Sequence, residues 1–565
     1  MTKRLMKKRI AVLDFETDPE DYDGEYLPFV AGFYDGYDFH HFWDRNQVAG
    51  SCLPDLVAHL QGLQREYLIY AHNGGKFDFM FLLPYIQDNL HIQNGRIVKA
   101  HLGIHELRDS FSIIPVKLAD FKGKNQKKQF ETPEEQSDFY RQKFSRQNRL
   151  KFKQEIIDYL RDDCLTLYEG VTGFLDEFGD KLTIGGTSMK QLKTLHDFQT
   201  AGKAYDERFR PFYFGGRNQC FEVGILKGDY KIYDVNSMYP FVMKTYRHPV
   251  SIDYEINVKL TPRTTFALIE AKNYGCLPVR TKTSLDFTVE RGVFHASIHE
   301  INAGLETGTL EILRIKHTIE HKQTATFANF VDTFYEKRLV ARANKREMLV
   351  TFYKLILNSA YGKFAQNPEN YRDYIITHNS VPDDVCQPHC LPGCENHWIL
   401  DQTDGNFIIW SRPSKSKLYF NVATAASITG AARAVLLRGL AQSRQPVYCD
   451  TDSIICKDLK AEIDTAQLGA WKREATGDTV VIAGKKLYCV FRDGKSIKQA
   501  AKGVIVTPKQ LIELARGNLV HTKNPVPRFK LDGSHMFVSR SIKKTGKASA
   551  FGRATLPPAT SPDHR

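Results

Sequence analysis

The stretch from Val447 to Cys456 constrains the fold more than any other part of this 565-residue chain. Val447, Tyr448 and Cys449 form one short apolar arm and Ser453 to Cys456 the other, with Asp450, Thr451 and Asp452 between them. Apolar arms around a tight polar turn predict a β-hairpin with two carboxylates at its tip. A third acid, Asp234, closes a β-type run and is followed by Ser237, Tyr239 and Pro240. Between these segments lies Phe327 to Tyr361, which contains neither Gly nor Pro and predicts one long helix or a helical hairpin bending near Ala343 and Asn344. On its later part Lys354, Asn358 and Tyr361 fall at i, i+4 and i+7, so a cation, an amide and an aromatic share one helix face. That face suits a nucleoside triphosphate. For five fixed identities in nine positions chance gives well under about one in a thousand, which sets aside the reading of a surface lysine on a core helix.

A second acidic set lies near the N-terminus. Asp14 and Glu16 directly follow the apolar run Ile10 to Leu13, so both carboxylates point to one side of a strand. Alone this is weak, because roughly two such D-x-E triplets are expected by chance. It gains weight from Asn73, Phe77 and Asp78 behind a glycine pair, and from Tyr159 and Asp163 at i and i+4 on a helix expected over residues 155–168. Four carboxylates can hold two divalent metal ions, activate a water and stabilise the leaving oxygen of a phosphodiester, with the tyrosine orienting the water.

Composition narrows the partner. Lys plus Arg at 78 against Asp plus Glu at 65 leaves a net charge of +13, which favours nucleic acid first and an anionic membrane second. The length allows three to five modules, and 42% hydrophobic residues exclude a largely disordered chain. No apolar run approaches the ~18 residues of a spanning helix, and the basic start is too short-lived for a signal peptide. Ten cysteines without disulfide spacing fit a reducing compartment, so a cytoplasmic protein is expected. Residues 122–153, dense in Lys, Gln, Glu and Arg, read as a surface excursion with no assigned fold. Residues 418–441 read as a strand followed by an Ala-rich helix.

Taken together these segments resemble the family B DNA polymerases, and more narrowly the protein-primed subgroup of phages and linear plasmids, with a look closest to the tectivirus type. In that family D-x-E, N-x-x-x-F-D and Y-x-x-x-D form the 3′ to 5′ exonuclease, while D-x-x-S-L-Y-P, K-x-x-x-N-S-x-Y-G and Y-x-D-T-D form palm and fingers. Met238 stands here where Leu is usual, a volume-conserving change. Smaller signatures point to the subgroup. Tyr213, Gly215 and Gly216 match a Y-x-G-G linker motif that coordinates the primer end. Ser110 and Phe111 resemble an S-L motif that holds single-stranded DNA and the priming protein. Thr429 and Arg433 resemble T-x-x-A-R, and Lys486 with Tyr488 resembles the K-x-Y grip on the primer terminus.

The resemblance implies an α/β and α+β multidomain chain. A ribonuclease H-like exonuclease would span 1–175, a linker 176–225, the palm 226–250 and 416–495, two insertions 251–326 and 369–415, fingers 327–368, and thumb with basic tail 496–565. It implies a DNA-directed DNA polymerase with a proofreading exonuclease, acting as a monomer in the bacterial host cytoplasm. Its partners would be template and primer DNA, deoxynucleoside triphosphates and a terminal priming protein. Asp234 and Asp452 would hold two Mg²⁺ or Mn²⁺ ions with Asp450 in support, and the exonuclease ions would sit on Asp14, Glu16, Asp78 and Asp163. Lys354 would neutralise phosphates, Asn358 and Tyr361 would face the nascent pair, and Tyr239 would exclude a 2′-hydroxyl. The rivals are a stand-alone exonuclease, which would not need the second acidic set; an RNA polymerase or reverse transcriptase, which the attached exonuclease and Tyr239 disfavour; and a non-catalytic DNA-binding scaffold, which would have lost a carboxylate. Cys386, Cys390, Cys394 and His397 offer three thiolates and an imidazole for a structural Zn²⁺, although their spacing departs from the usual C-x2-C or C-x4-C pair and the family requires no zinc there.

Overall fold

The computed structural model describes residues 9–18, 26–121, 133–282, 284–378, 380–385, 397–403, 407–415, 418–523, 528–531, 535–536, 538–544, 546 and 548. Two large sheets organise the chain. The first is built on Arg9–Thr17, whose run of apolar residues buries it between Pro28–Tyr34 (antiparallel) and Tyr67–Ala71 (parallel). Strands His105–Asp109, Arg96–Leu102 and Gln87–Gln93 continue it on one side and Phe39–Trp43 ends it on the other. The helix Lys153–Phe178 lies across Arg9–Thr17. Its buried stripe includes Ile156, Tyr159, Leu160, Asp163 and Leu167, the helical spacing of an amphipathic face.

The same sheet does not stop at Gln87–Gln93. Strands Arg372–Thr377, Ile408–Pro413 and Ile399–Thr403, all from residues 369–415 expected as the second insertion, extend it to ten strands through the pairing of Tyr374 with Leu90. His378 Nε2 meets the Ile86 carbonyl at 2.8 Å and ties the junction a second time.

The second sheet runs in the order Lys495–Ala501, Leu487–Arg492, Trp471–Gly484, Gly224–Val235, Ser453–Cys456, Tyr448–Asp450 and Asn218–Cys220. The hairpin expected over 447–456 is its fifth and sixth strands, and Asp234 pairs in register with Ser453. The sheet runs on to Ala501, past residue 495, where the palm was expected to end. Helices Ala328–Ala343 and Glu347–Phe364 form the hairpin expected of the Gly- and Pro-free stretch, with Lys345 in the left-handed region at φ 55° making the bend. Residues 251–326, expected as the first insertion, contain a four-stranded antiparallel sheet, Tyr254–Asn257, Leu310–His321, Phe266–Asn273 and Arg291–Ser297, closed by the helix Ile298–Glu306.

Two expectations are corrected. Residues 122–153 are not wholly a surface excursion: Pro133–Lys143 is helical, Phe144 is fully buried, and Arg149 lies buried between Asp18 (3.2 Å) and Asp44 (2.6 Å). A charged segment can enter a core when each charge meets its counterion there. Residues 418–421 form no strand; Asn421 instead caps the helix Val422–Gln442, its side-chain oxygen accepting from the Thr424 amide.

Candidate functional site

Strand Arg9–Thr17 and helix Lys153–Phe178 bring Asp14, Glu16 and Asp163 together, with one ligand oxygen of each within 4.8 Å of the others. It is the one group of three or more such ligands among the described residues. Asp78 opens the short helix Asp78–Phe81 and is buried, with Oδ1 finding no hydrogen-bond partner. Burial first, and then the Asp14 charge, raises its pKa well above the usual carboxylate range. A buried carboxylate oxygen without a donor, beside other carboxylates, is arranged for a cation. Tyr159 is buried among Phe139, Tyr140 and Phe144, its hydroxyl 2.9 Å from that of Tyr140.

Asn73, Phe77, Ser110 and Phe111 stand in the same part of the fold. Asn73 sits in the left-handed region at φ 65° and its Oδ1 accepts from Arg96 at 2.9 Å. Phe111 is half-buried, with the Arg96 guanidinium 4.8 Å above its ring. Ser110, however, is fully buried: its hydroxyl donates to the Ala71 carbonyl at 3.1 Å and lies 3.0 Å from His72 Nδ1. It joins the ends of two strands and presents no surface to DNA. Phe77 packs edge-on against Phe81 and Phe529. Phe529 arrives from the C-terminal strand Arg528–Phe529, a partner no motif announces.

In the second sheet Asp234 and Asp452 lie close enough for the Asp234 charge to act on Asp452. Burial first, then that charge, pushes Asp452 up to about 7. Burial also raises Asp234, opposed by Lys472, whose ammonium lies 3.0 Å from Asp234 Oδ1. Asp450 turns to Lys486, with Nζ at 2.5 and 2.7 Å from its two oxygens. Lys472 is the cross-strand partner of Asp234, which a reading of local motifs cannot find because the two are joined by pairing alone.

Lys354 and Asn358 are exposed and Tyr361 half-buried, so the helix face expected from their spacing exists. Tyr361 meets Tyr239, at the start of helix Met238–Thr245. Asn358 and Tyr361 also line a cavity of about 590 Å³ shared with Lys76, Arg96, Lys363 and Arg372, which joins the first sheet, the fingers helix and the second insertion.

Three further motif residues lie inside the fold. Thr429 and Arg433 are buried, and Tyr488 is buried with its ring 4.8 Å from that of Tyr448. None of the three is accessible to a nucleic acid in this arrangement. They share a sequence motif with groups that touch substrate, but a motif carries no information about exposure. Tyr213 is half-buried, and Gly216 is required where it stands, since a Cβ there would lie 2.7 Å from Thr451 Oγ1. Gly215 meets no such neighbour. Cys386, Cys390 and Cys394 of the suggested zinc site lie outside the described residues; His397 is described.

Residues 119–454 match the family model of DNA polymerase type B, organellar and viral. The DNA-directed DNA polymerase of Enterobacteria phage PRD1 is 44% identical over 579 residues, covering 96% of this chain and 100% of the relative. The chain belongs to the organellar and viral type B DNA polymerases. The family expected from the motif order is therefore the one found. The DNA polymerase of Bacillus phage phi29 is 24% identical over 60% of each chain. A solved structure of phi29 DNA polymerase complexed with primer-template DNA and incoming nucleotides superposes with a TM-score of 0.66 at 17% identity, covering 95% of this chain and 100% of that one. The fold is thus that of an exonuclease module joined to palm, fingers and thumb. No helix among the described residues is long and apolar enough to cross a membrane.

Proposed function

We propose that this type B polymerase copies DNA from deoxynucleoside triphosphates, removes misincorporated 3′ ends, and starts replication of a linear genome on a terminal priming protein in the host cytoplasm. The observation that carries the reading is the presence, in one chain, of two carboxylate sets built on two separate sheets: Asp14 and Glu16 on a strand of the first with Asp163 on the helix packed against it, and Asp234 and Asp452 at the strand end and hairpin turn of the second.

Both sets consist of hard oxygen donors, and the partnerless Asp78 Oδ1 and the raised Asp452 pKa fit Mg²⁺ or Mn²⁺. Divalent ions, two per site when bound, lower the pKa of the attacking hydroxyl or water and neutralise the leaving oxygen. Asp234 and Asp452 would hold them in the palm, with Asp450 kept in place by Lys486 as a supporting charge. Lys354 meets the triphosphate from the exposed face of the fingers helix. Tyr361 packs on the nascent base pair, and Tyr239 beneath it closes the space a 2′-hydroxyl needs. In the exonuclease, Asp14, Glu16, Asp78 and Asp163 form the ligand set and Tyr159 orients the water.

At initiation the nucleophile is a side-chain hydroxyl of the priming protein, docked by the first insertion. The cavity lined by Lys76, Arg96, Lys363 and Arg372 has the cations and aromatics that single-stranded DNA requires, and we assign it to the template strand. Incorporation of labelled dATP against labelled ATP on a primed template, and then without any oligonucleotide but with candidate priming proteins, tests the reading. Absence of incorporation from dATP on a primed template would overturn it.

A further inference from the structure

Residues 213–217, between the two sheets, belong to no helix or strand. Their carbonyls therefore lack ladder partners, and arginines serve three of them. Arg280 of the first insertion donates to the Tyr213 carbonyl. Arg433 Nη1 donates to the carbonyls of Phe214 at 2.6 Å and Gly215 at 2.8 Å. The last carbonyl of the segment, that of Arg217, accepts the Thr451 amide at 2.6 Å. Thr451 stands between Asp450 and Asp452 at φ 60°, a left-handed conformation costly for a β-branched residue, and in that conformation its amide meets this carbonyl. The Arg217 side chain is itself buried and returns to the first insertion, with Nη1 2.7 Å from the Gly275 carbonyl and the guanidinium 4.5 Å from the Phe287 ring centroid.

Arg433 is fixed in turn by Glu300 of the first insertion. Glu300 Oε1 accepts Arg433 Nε at 2.8 Å, and Oε2 accepts the Ser297 hydroxyl and amide at 2.8 and 3.1 Å. Both side chains are 2% exposed. Gly430, one turn before Arg433, leaves no room for movement, since a Cβ there would fall 2.2 Å from Ser297 Oγ. The bonds that link the insertion to segment 213–217 through Arg433 and Arg217 are thus made by buried side chains, and the one made by Arg280 is exposed.

We propose that Glu300 is a positioning residue for nucleotide incorporation: through Arg433 it holds segment 213–217 against Thr451 and so sets where Asp450 and Asp452 stand. The first insertion then acts on the palm site through this relay, and whatever docks on that insertion reaches the catalytic turn by the same bonds. This rests on the reading of Asp234 and Asp452 as the polymerase carboxylates.

The test is Glu300→Gln in the full chain, which keeps the shape and removes the charge that binds Arg433. The expected result is a fall in kcat for single-nucleotide incorporation of about tenfold, with KM for the nucleotide changed less than about twofold and exonuclease activity on single-stranded DNA unchanged. Amide hydrogen exchange should quicken in peptides covering 213–222 and 447–456 while peptides covering 67–109 keep their protection. The double variant Glu300→Gln with Arg433→Gln should be no slower than the slower single variant. Unchanged protection at 447–456, or a loss of protection across the whole palm with both activities falling together, would overturn the proposal. Should Glu300→Gln not fold, Arg280→Gln tests the same segment from its exposed end, with a smaller loss in the same direction expected and no change overturning it. A wild-type protein that incorporates nothing would sink the polymerase reading, while the exchange measurement would still decide this one.

Discussion

Tyr239 and Tyr361 stack face to face, their ring centroids 3.8 Å apart and their planes 11° from parallel. One ring comes from the segment that carries Asp234 and the other from the helix Glu347–Phe364, so in the proposed nucleotide site the floor would be shared by two parts of the chain. The stacking holds the Tyr239 ring against that of Tyr361. Tyr239→Val should admit ribonucleotides with little loss on deoxynucleotides, read as the ratio of kcat/KM for dATP and ATP. An unchanged ratio removes Tyr239 from sugar selection.

The two carboxylate sets occupy different sheets, so the activities should separate. Asp234→Ala or Asp452→Ala should abolish incorporation, by several orders of magnitude, and leave degradation of single-stranded DNA. The pair Asp14→Ala and Glu16→Ala should do the reverse. Loss of both activities from either change, in a protein that still melts cooperatively, contradicts the assignment.

Asp452 carries a cost. In the metal-free protein its folded pKa stands near 7, above the unfolded value, so the folded state binds the extra proton between about pH 4 and pH 7. Stability falls as pH rises through that window and the penalty is complete above it. Asp452→Asn should therefore raise the melting temperature at pH 8 and flatten its pH dependence, with a stability gain of at most about 4 kcal/mol. Divalent ions should reproduce part of the gain in the wild type. A variant less stable than wild type at pH 8 would show that the carboxylate is not strained.

Ser110 should behave as a structural residue. Its hydroxyl is buried between the Ala71 carbonyl and His72, so Ser110→Ala should lower stability by about 1 kcal/mol and reduce all activities alike. Phe111→Ala, on the half-buried ring beside Arg96, should instead weaken degradation of single-stranded DNA more than extension of an annealed primer. Equal effects of the two changes would return Ser110 to the DNA-binding surface.

The legible parts of this molecule are those encoded locally. The hairpin at 447–456, the helical face of Lys354, Asn358 and Tyr361, and the strand ending in Asp14 and Glu16 each follow from a periodicity within a dozen residues. Burial of charge is not local. Arg149 meets Asp18 and Asp44 more than a hundred residues away, Glu300 meets Arg433, and Lys472 reaches Asp234 only because their strands pair. For the same reason Arg433 and Tyr488 read as surface motifs and stand inside the fold.

The ten-stranded sheet bears on how such a polymerase can be altered. Because Arg372–Thr377 continues the pairing of Gln87–Gln93, excising the second insertion would leave a bare strand edge on the exonuclease module, open to pairing with another copy. A chimera that grafts this insertion from a relative would have to bring the matching outer strand of the exonuclease with it. The two parts, distant in sequence, are one inheritance unit.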